Sequence, residues 1–225
     1  MQRFSKLLLT TFFIALNTGS IRANGLNSLE NFIKSAKTGA SEFTQTVTSP
    51  ARAVDVSGNT QSATPAAPRV KRSSGTFEFQ RPGKFKFQYK KPFEQLILAD
   101  GASLWIYDAD LNQATQRSQL TTFANTPAAL IASATDLSAL RKEFTLESAP
   151  EKDGLNWVSA KPKAADSTLQ IIRIGFKGDT LQQLDITDSF GQRSVIQFTS
   201  MQINPALPES SFKFVLPPKA ELLKP

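Results

Sequence analysis

The stretch from residue 73 to residue 108 constrains the fold of this chain more than any other. Apolar and polar residues alternate along four short runs, separated by turns at Arg81-Pro82-Gly83, Lys91-Pro92 and Asp100-Gly101. Because successive side chains of a strand point to opposite faces, this alternation predicts antiparallel strands with one apolar face. The predicted apolar face consists of Phe77, Phe79, Phe85, Phe87, Tyr89 and Phe93, joined by Leu104 or Trp105 according to register.

Further alternating runs predict strands on both sides of this stretch. A first strand is predicted at residues 41–48, with Phe43 on its apolar face. The others are predicted at residues 112–118, 144–149, 155–160, 168–176, 180–188, 193–202 and 212–215. About ten consecutive antiparallel strands are more than a flat sheet holds, so the sheet should curl or close. The predicted fold class is mainly β, with a single curled antiparallel sheet.

Three helices are predicted beside the strands. The first spans residues 27–38, with Asn27 as its cap and Phe32 on its apolar face. The second spans residues 127–134, opens on Pro127, and carries Leu130 and Ile131. The third spans residues 137–141 after a cap at Asp136. Because the second helix is short and apolar on all sides, it depends on tertiary packing and suits a movable cover over the aromatic face.

The first 23 residues have the pattern of a secretory leader. Arg3 and Lys6 precede an apolar run from residue 7 to residue 16, and cleavage is expected near Ala23. Residues 24–225 then form one domain. Within it, residues 49–72 are rich in proline and small residues and predict a flexible insertion loop. Its basic end, residues 69–72, is either a solvated loop tip or a contact for an acidic partner or a lipid headgroup.

The chain contains no cysteine and no histidine, which removes disulfides, thiolate nucleophiles and the commonest general base. Residues 108–112 match the opening of a calcium loop, but glutamines replace the expected glycine and glutamate. Ser210 and Lys213 have the spacing of a Ser/Lys hydrolase, but on a strand-like run their side chains would not converge. We therefore expect no enzyme activity, no metal and no cofactor.

Several short motifs together carry a resemblance to a known family. They are Phe43-Thr44-Gln45, residues 81–87 (RPGKFKF), Asp100-Gly101, Trp105-Ile106-Tyr107, Gln113, Thr126-Pro127-Ala128, residues 188–192 (DSFGQ) and residues 212–218 (FKFVLPP). In this order and spacing, the chain resembles the bacterial periplasmic carrier of outer-membrane lipoproteins, the LolA family.

The resemblance implies both a fold and a function. The fold would be an incomplete antiparallel β-barrel, closed by short helices that cover an apolar cavity. The protein would receive lipoproteins from an ATP-driven complex of the inner membrane, shield their acyl chains in the periplasm, and pass them to the outer-membrane acceptor LolB. The acceptor shares this fold but requires an N-terminal cysteine, which this chain lacks. A monomer that binds no nucleic acid is expected.

The resemblance also implies roles for individual residues. Arg81 matches the arginine that binds carbonyl groups of the lid helices and keeps the empty carrier closed. The acyl-chain cavity would be lined by Phe32, Phe43, Phe77, Phe79, Phe85, Phe87, Tyr89, Leu96, Leu98, Trp105, Leu130 and Ile131. From the pattern alone these side chains are equally those of a sealed core, and a filled core under the helices would count against a carrier. The alternative function is that of a related barrel that binds or senses lipid in the envelope without shuttling lipoproteins.

Overall fold

The computed structural model describes residues 24–51, 67–119, 131–132, 134 and 136–223. Two α-helices lie in these ranges, α1 (Gly25–Ser35) and α2 (Leu137–Glu143). The strands are β1 (Thr38–Ser49), β2 (Arg69–Gln80), β3 (Lys84–Lys91), β4 (Gln95–Asp100), β5 (Ser103–Asp108), β6 (Gln113–Ser118), β7 (Phe144–Lys152), β8 (Leu155–Pro162), β9 (Leu169–Lys177), β10 (Thr180–Asp188), β11 (Arg193–Ile203) and β12 (Glu221–Leu223). A short 3-10 helix occupies Glu209–Phe212.

Within the described residues, all twelve strands belong to one unclosed sheet. Their order is β12-β6-β5-β4-β3-β2-β1-β11-β10-β9-β8-β7. Consecutive strands pair as antiparallel hairpins within each half of this sheet, and β1 pairs with β11. That pairing joins a half built from β2–β6 to a half built from β7–β11, so β1 is the central strand.

The apolar faces of the two halves meet in one core, which requires the sheet to curl around it. Phe77 of β2, Ile174 of β9 and Phe198 of β11 all belong to the same buried cluster. Helix α1 fills the space between the halves, with Phe32 in ring contact with Phe79 on one side and Phe176 on the other. The predicted fold class, a mainly β curled sheet, is confirmed.

Helix α1 begins and ends earlier than the sequence predicts. Its cap is Asn24, whose Oδ1 accepts the amide of Asn27, the residue predicted to be the cap. Helix α2 agrees with the prediction at its start, since Asp136 Oδ1 accepts the amide of Ala139. The predicted helix at residues 127–134 lies mostly outside the described residues. In the described ranges, no helix combines the length and apolar character needed to cross a lipid bilayer.

Three further differences concern connections and the C-terminal segment. Strands β1 and β2 pair from Thr38↔Gln80 to Ser49↔Arg69, so residues 69–72 belong to β2 and not to the loop predicted at 49–72. Residues 52–66 of that loop, like the predicted leader, lie outside the described residues. The predicted strand at 212–215 is wrong, because the 3-10 helix extends to Phe212. Residues 221–223, where no strand is predicted, form β12 and pair in parallel with β6.

Candidate functional site

The turn between β2 and β3 places Arg81 against two other parts of the chain. Its backbone amide donates to the carbonyl of Lys37 at 2.8 Å. Its side chain donates from Nε to the carbonyl of Ala36 at 2.8 Å and from Nη1 to the carbonyl of Ala134 at 2.9 Å. Ala36 is the C-cap of α1, and Ala134 belongs to the lid segment, defined here as residues 119–134. One guanidinium therefore connects the end of α1 to the lid segment.

The surroundings of this guanidinium are apolar. Its central carbon lies 5.3 Å from the ring centroid of Phe32 and 5.4 Å from that of Phe79, in the range of cation–π contacts. Burial lowers the pKa of Arg81 to about 10, which still leaves it charged at neutral pH. Within the described part of the chain, its Nη2 has no hydrogen-bond partner. A buried cation with an unused donor is costly, so the contact is stable only while both carbonyls remain in place.

Two more hydrogen bonds join the same turn to the lid segment. The amide of Gly83 donates to the carbonyl of Ala132 at 2.8 Å. Gln119 Nε2 donates to the carbonyl of Gly83 at 2.7 Å, while its Oε1 accepts the amide of Gly101 at 3.0 Å. Gly83 has φ +76°, a left-handed conformation that glycine adopts without strain. The closing contact is therefore a set of bonds around residues 81–83. The hydrogen bonds of Gly83 and Gln119 to the lid segment and the neighbouring turn are not predicted from the sequence, because a lone glutamine after a polar strand gives no signal.

The aromatic residues beneath this turn are packed against one another. Phe77 lies 4.4 Å from Phe87 and 5.2 Å from Phe198 between ring centroids, and Phe43 lies 5.3 Å from Phe87. Phe32, Phe43, Phe77, Phe79 and Phe85 are each at most 1 % exposed. Ile131, Ala132 and Ala134 of the lid segment are buried in the same cluster. In this closed form, the rings predicted to line a cavity fill the core.

Open space lies at one end of the curled sheet, beyond Tyr89. A cavity of about 720 Å³, called the mouth here, is bounded by Gln45, Val47, Lys71, Arg72, Ser73, Tyr89, Pro92, Phe93, Gln95, Asp108, Asp110 and Leu111. The Tyr89 hydroxyl donates to Gln45 Oε1 at 2.9 Å, and Gln45 Nε2 donates to Ser194 Oγ at 2.7 Å. Burial raises the pKa of Tyr89 to about 12. These three residues form a polar bridge across β3, β1 and β11 that separates the packed rings from the mouth.

Three predicted cavity residues lie on the other face of the sheet. Leu98 pairs with Trp105 across β4 and β5, whereas the neighbouring Ala99 and Leu104 belong to the core cluster. The Trp105 ring stacks on Phe214 with centroids 4.6 Å apart. Leu96 alternates with the core-facing Ile97 and therefore shares the face of Leu98. The prediction that Leu96, Leu98 and Trp105 share a face with the phenylalanines is wrong. In the observed register, Leu104 faces the core in place of Trp105.

Phe93 also departs from the predicted apolar face. It lies in the turn between β3 and β4 and is 68 % exposed at the edge of the mouth. Its alternation with the strand residues ends at Pro92, where the turn redirects the chain. Leu130 lies outside the described residues.

Comparison with known proteins identifies the family. The family model for the outer membrane lipoprotein carrier protein LolA matches residues 34–215, which include the Arg81 turn, the aromatic core and the mouth. The chain belongs to the LolA family. It is 52% identical over 218 residues to an outer-membrane lipoprotein carrier protein of Albidiferax ferrireducens, a match covering 95% of this chain and 97% of the relative.

Other LolA-family relatives and one solved structure extend the comparison. An outer-membrane lipoprotein carrier protein of Leptothrix cholodnii is 41% identical over 206 residues, covering 92% of this chain and 88% of the relative. An uncharacterized conserved protein from Thermus thermophilus superposes with a TM-score of 0.46 at 12% identity, covering 89% of this chain and 96% of that one. Such a distant likeness carries no inference about function.

Proposed function

We propose that this protein carries lipoproteins through the periplasm to the outer membrane, holding their acyl chains without a covalent bond. Membership of the LolA family supports this function, because the relatives are named as outer-membrane lipoprotein carriers. The observation that carries the mechanism is the shared contact of the Arg81–Gly83 turn with the lid segment. It gives the chain a closed form with defined bonds that cargo must break.

Taken alone, the packed core counts against a carrier. It is compatible with one if acyl chains enter by displacing the lid segment. Burying one chain of about sixteen carbons gains on the order of 12 kcal/mol, at about 0.8 kcal/mol per methylene. A carrier that kept all of this gain would not release its cargo. Replacing the buried contacts of Ile131, Ala132 and Ala134, together with the bonds to Arg81 and Gly83, offsets part of it. The filled closed form would therefore moderate affinity and favour transfer.

The same proposal includes the partners and residue contacts that the LolA family implies. An ATP-driven complex of the inner membrane would supply the lipoproteins, and LolB would accept them at the outer membrane. The acyl chains would contact Phe32, Phe43, Phe77, Phe79, Phe85, Phe87, Tyr89, Leu130 and Ile131 after the lid opens. The chain would act in the periplasm after removal of a leader near Ala23, as a carrier and not as an enzyme.

A release assay tests this function. Inner-membrane vesicles loaded with a radiolabelled lipoprotein and supplied with ATP should release it into solution only when the purified protein is present. The released lipoprotein should pass to LolB-containing liposomes. Binding of free fatty acid without any release of lipoprotein would reject the carrier role and favour a lipid-sensing barrel.

A further inference from the structure

Four exposed apolar side chains lie at one end of the sheet, three of them in turns and one near the start of β2. This end, called the open end here, is where β1, β3, β5 and β10 finish and where the mouth lies. The exposed residues and their exposed fractions are Val70 at 54%, Phe93 at 68%, Leu111 at 66% and Phe190 at 77%. The hairpin turns described at the opposite end are built instead from glycine, proline and polar residues: Arg81–Gly83, Asp100–Gly101, Asp153–Gly154 and Gly178–Asp179.

The turns that carry Phe190 and Leu111 are each fixed by hydrogen bonds to an aspartate. Asp188 Oδ1 accepts the amides of Phe190 and Gln192 at 2.9 and 2.8 Å. Asp108 Oδ1 accepts the amide of Leu111 at 3.1 Å. Each carboxylate therefore fixes the backbone of its own turn, and the attached side chains of Phe190 and Leu111 remain exposed.

Exposed cations surround the same end. Arg69, Lys71 and Arg72 lie along the first residues of β2, and Lys90 and Lys91 lie at the end of β3 beside them. None of these five residues forms a salt bridge with another residue in the described ranges. Glu94, Asp108 and Asp110 lie on the next two turns on one side, and Asp188 lies at the β10–β11 turn on the other. The β1–β3 side of the open end is therefore positively charged beside exposed apolar tips.

This combination fits an anionic lipid surface. Apolar side chains can enter the boundary between headgroups and acyl chains, while each nearby cation is attracted by the negative surface. The four tips, three in separate turns and one on β2, do not form one continuous apolar patch of the kind that a protein partner usually covers. Separate apolar points with flanking charge suit a fluid surface, whose lipids rearrange around each of them.

We propose that the open end docks reversibly on anionic phospholipid bilayers, with the mouth facing the lipid. This inference goes beyond the proposed carriage of lipoproteins, because it concerns the membrane itself and needs no cargo. Docking would place the mouth against the lipid headgroups. The opposite end, with the Arg81–Gly83 turn, would stay in water.

Vesicle flotation with the purified, cargo-free protein tests the proposal. Vesicles of phosphatidylcholine with added phosphatidylglycerol should bind the protein, and raising the salt concentration should weaken this binding. Vesicles of phosphatidylcholine alone should bind it much less. Replacing three cations together (Lys71→Gln, Arg72→Gln and Lys91→Gln) should weaken binding roughly a hundredfold, from the contribution of each cation near an anionic surface.

A matched control uses three exposed lysines at the opposite end. The triple substitution Lys37→Gln, Lys152→Gln and Lys177→Gln removes the same charge and should leave binding within about twofold, because distant charges are screened. A second variant, Phe93→Ser with Phe190→Ser, should also lose binding although its charge is unchanged. Both phenylalanines are exposed, so melting temperatures close to that of the parent protein should show that folding is retained.

Three results would overturn the proposal. They are equal binding to both kinds of vesicle, an equal loss in the opposite-end variant, and affinity of the open end for an acidic protein without affinity for vesicles. Because no lipoprotein is present in this experiment, its failure leaves the release assay for the carrier function unaffected, and the reverse also holds.

Discussion

At the scale of single residues, Arg81 combines a buried charge with two carbonyl partners that belong to different elements. A lysine would supply charge but could not span both carbonyls, because its ammonium is a single point and not a planar fork. The Nε and Nη1 bonds reach Ala36 and Ala134 in different directions, which only a guanidinium matches. The Nη1 bond is therefore lost whenever Ala134 moves away from the turn.

Substituting Arg81 should shift the lid toward its open form. Arg81→Leu removes both side-chain hydrogen bonds and Arg81→Lys removes at least one, each worth about 1.5–3 kcal/mol. We expect opening to be favoured by about 2 kcal/mol, seen as faster uptake of a fluorescent fatty acid and slower transfer to LolB. Arg173→Leu, at an exposed arginine of β9, is the control and should behave like the parent protein. Normal transfer by Arg81→Leu would show that Arg81 is not a latch.

Tyr89 should make the stability of the protein depend on alkaline pH. The folded pKa, about 12, lies above the ordinary value of 10.0, so the fold favours the neutral phenol. Its contribution is complete below pH 10 and is lost as the pH rises toward 12, with a limit of about 2.7 kcal/mol. In urea unfolding, the stability of the parent protein relative to Tyr89→Phe should be constant below pH 10 and fall as the pH rises toward 12, because only the parent protein has a phenol to ionise. A difference that stays constant across this range would contradict the assignment.

At the scale of elements, the cap of α1 shows how a helix start depends on contacts that are distant in sequence. Asn24 Oδ1 accepts the amide of Asn27, and it also accepts the hydroxyl of Ser148 from β7 at 3.0 Å. Local sequence offers Asn27 as an equally good cap. The contact with β7 selects Asn24, and no pattern within the helix reveals it.

Alanine substitutions of Asn24 and Asn27 test directly which of them caps α1. Asn24→Ala should destabilise the protein by about 1 kcal/mol through loss of the cap, lowering the melting temperature by a few degrees. Asn27→Ala should have little effect, because the Asn27 side chain is exposed and only its backbone amide is used. Calorimetry of both variants measures the difference. A larger loss of stability in Asn27→Ala than in Asn24→Ala would show that Asn27 is the cap, as the sequence suggests.

The segment after β11 covers the outer face of β4 and β5. Phe214 stacks on Trp105, and Trp105 Nε1 donates to Asp100 Oδ2 at 2.9 Å. Phe214→Ala should expose the indole, shift tryptophan emission to longer wavelength, and destabilise the fold by on the order of 1–2 kcal/mol. Val215→Ala, at a neighbouring side chain that is 80 % exposed, should change neither. Unchanged emission of Phe214→Ala would show that the stack is absent in solution.

At the scale of the whole molecule, the sequence predicts pairing between strands that are adjacent in the chain better than pairing between strands that are far apart in it. Alternation and turn residues predict the hairpins from β2 to β6 and from β7 to β11, since both strands of each hairpin are adjacent in the chain. The pairing of β1 with β11 and the parallel β12 are not predicted, because each joins residues far apart in sequence. Which face of β4 and β5 points inward also depended on register, and register is set by that assembly.

The candidate site also has parts that the sequence predicts and parts that it does not. The aromatic residues of β2 and β3 are placed on one face by alternation alone, and the structure has them there. The bond from Arg81 to the lid segment was expected only from the family resemblance, because nothing in a Pro-Gly turn indicates its partner. The mouth is even less accessible to sequence reasoning, since it is bounded by the ends of several strands and their turns.

The hydrogen bond from the Gly83 amide to the carbonyl of Ala132 lets hydrogen exchange report on the opening of this carrier. The amide proton is protected only while the lid segment rests on the turn, so its exchange with deuterium measures how often the closed form opens. The Arg81 amide, bonded to Lys37 on the α1 side, serves as an internal reference in the same turn. Comparing these two protons would measure lid opening in solution without a membrane or a cargo.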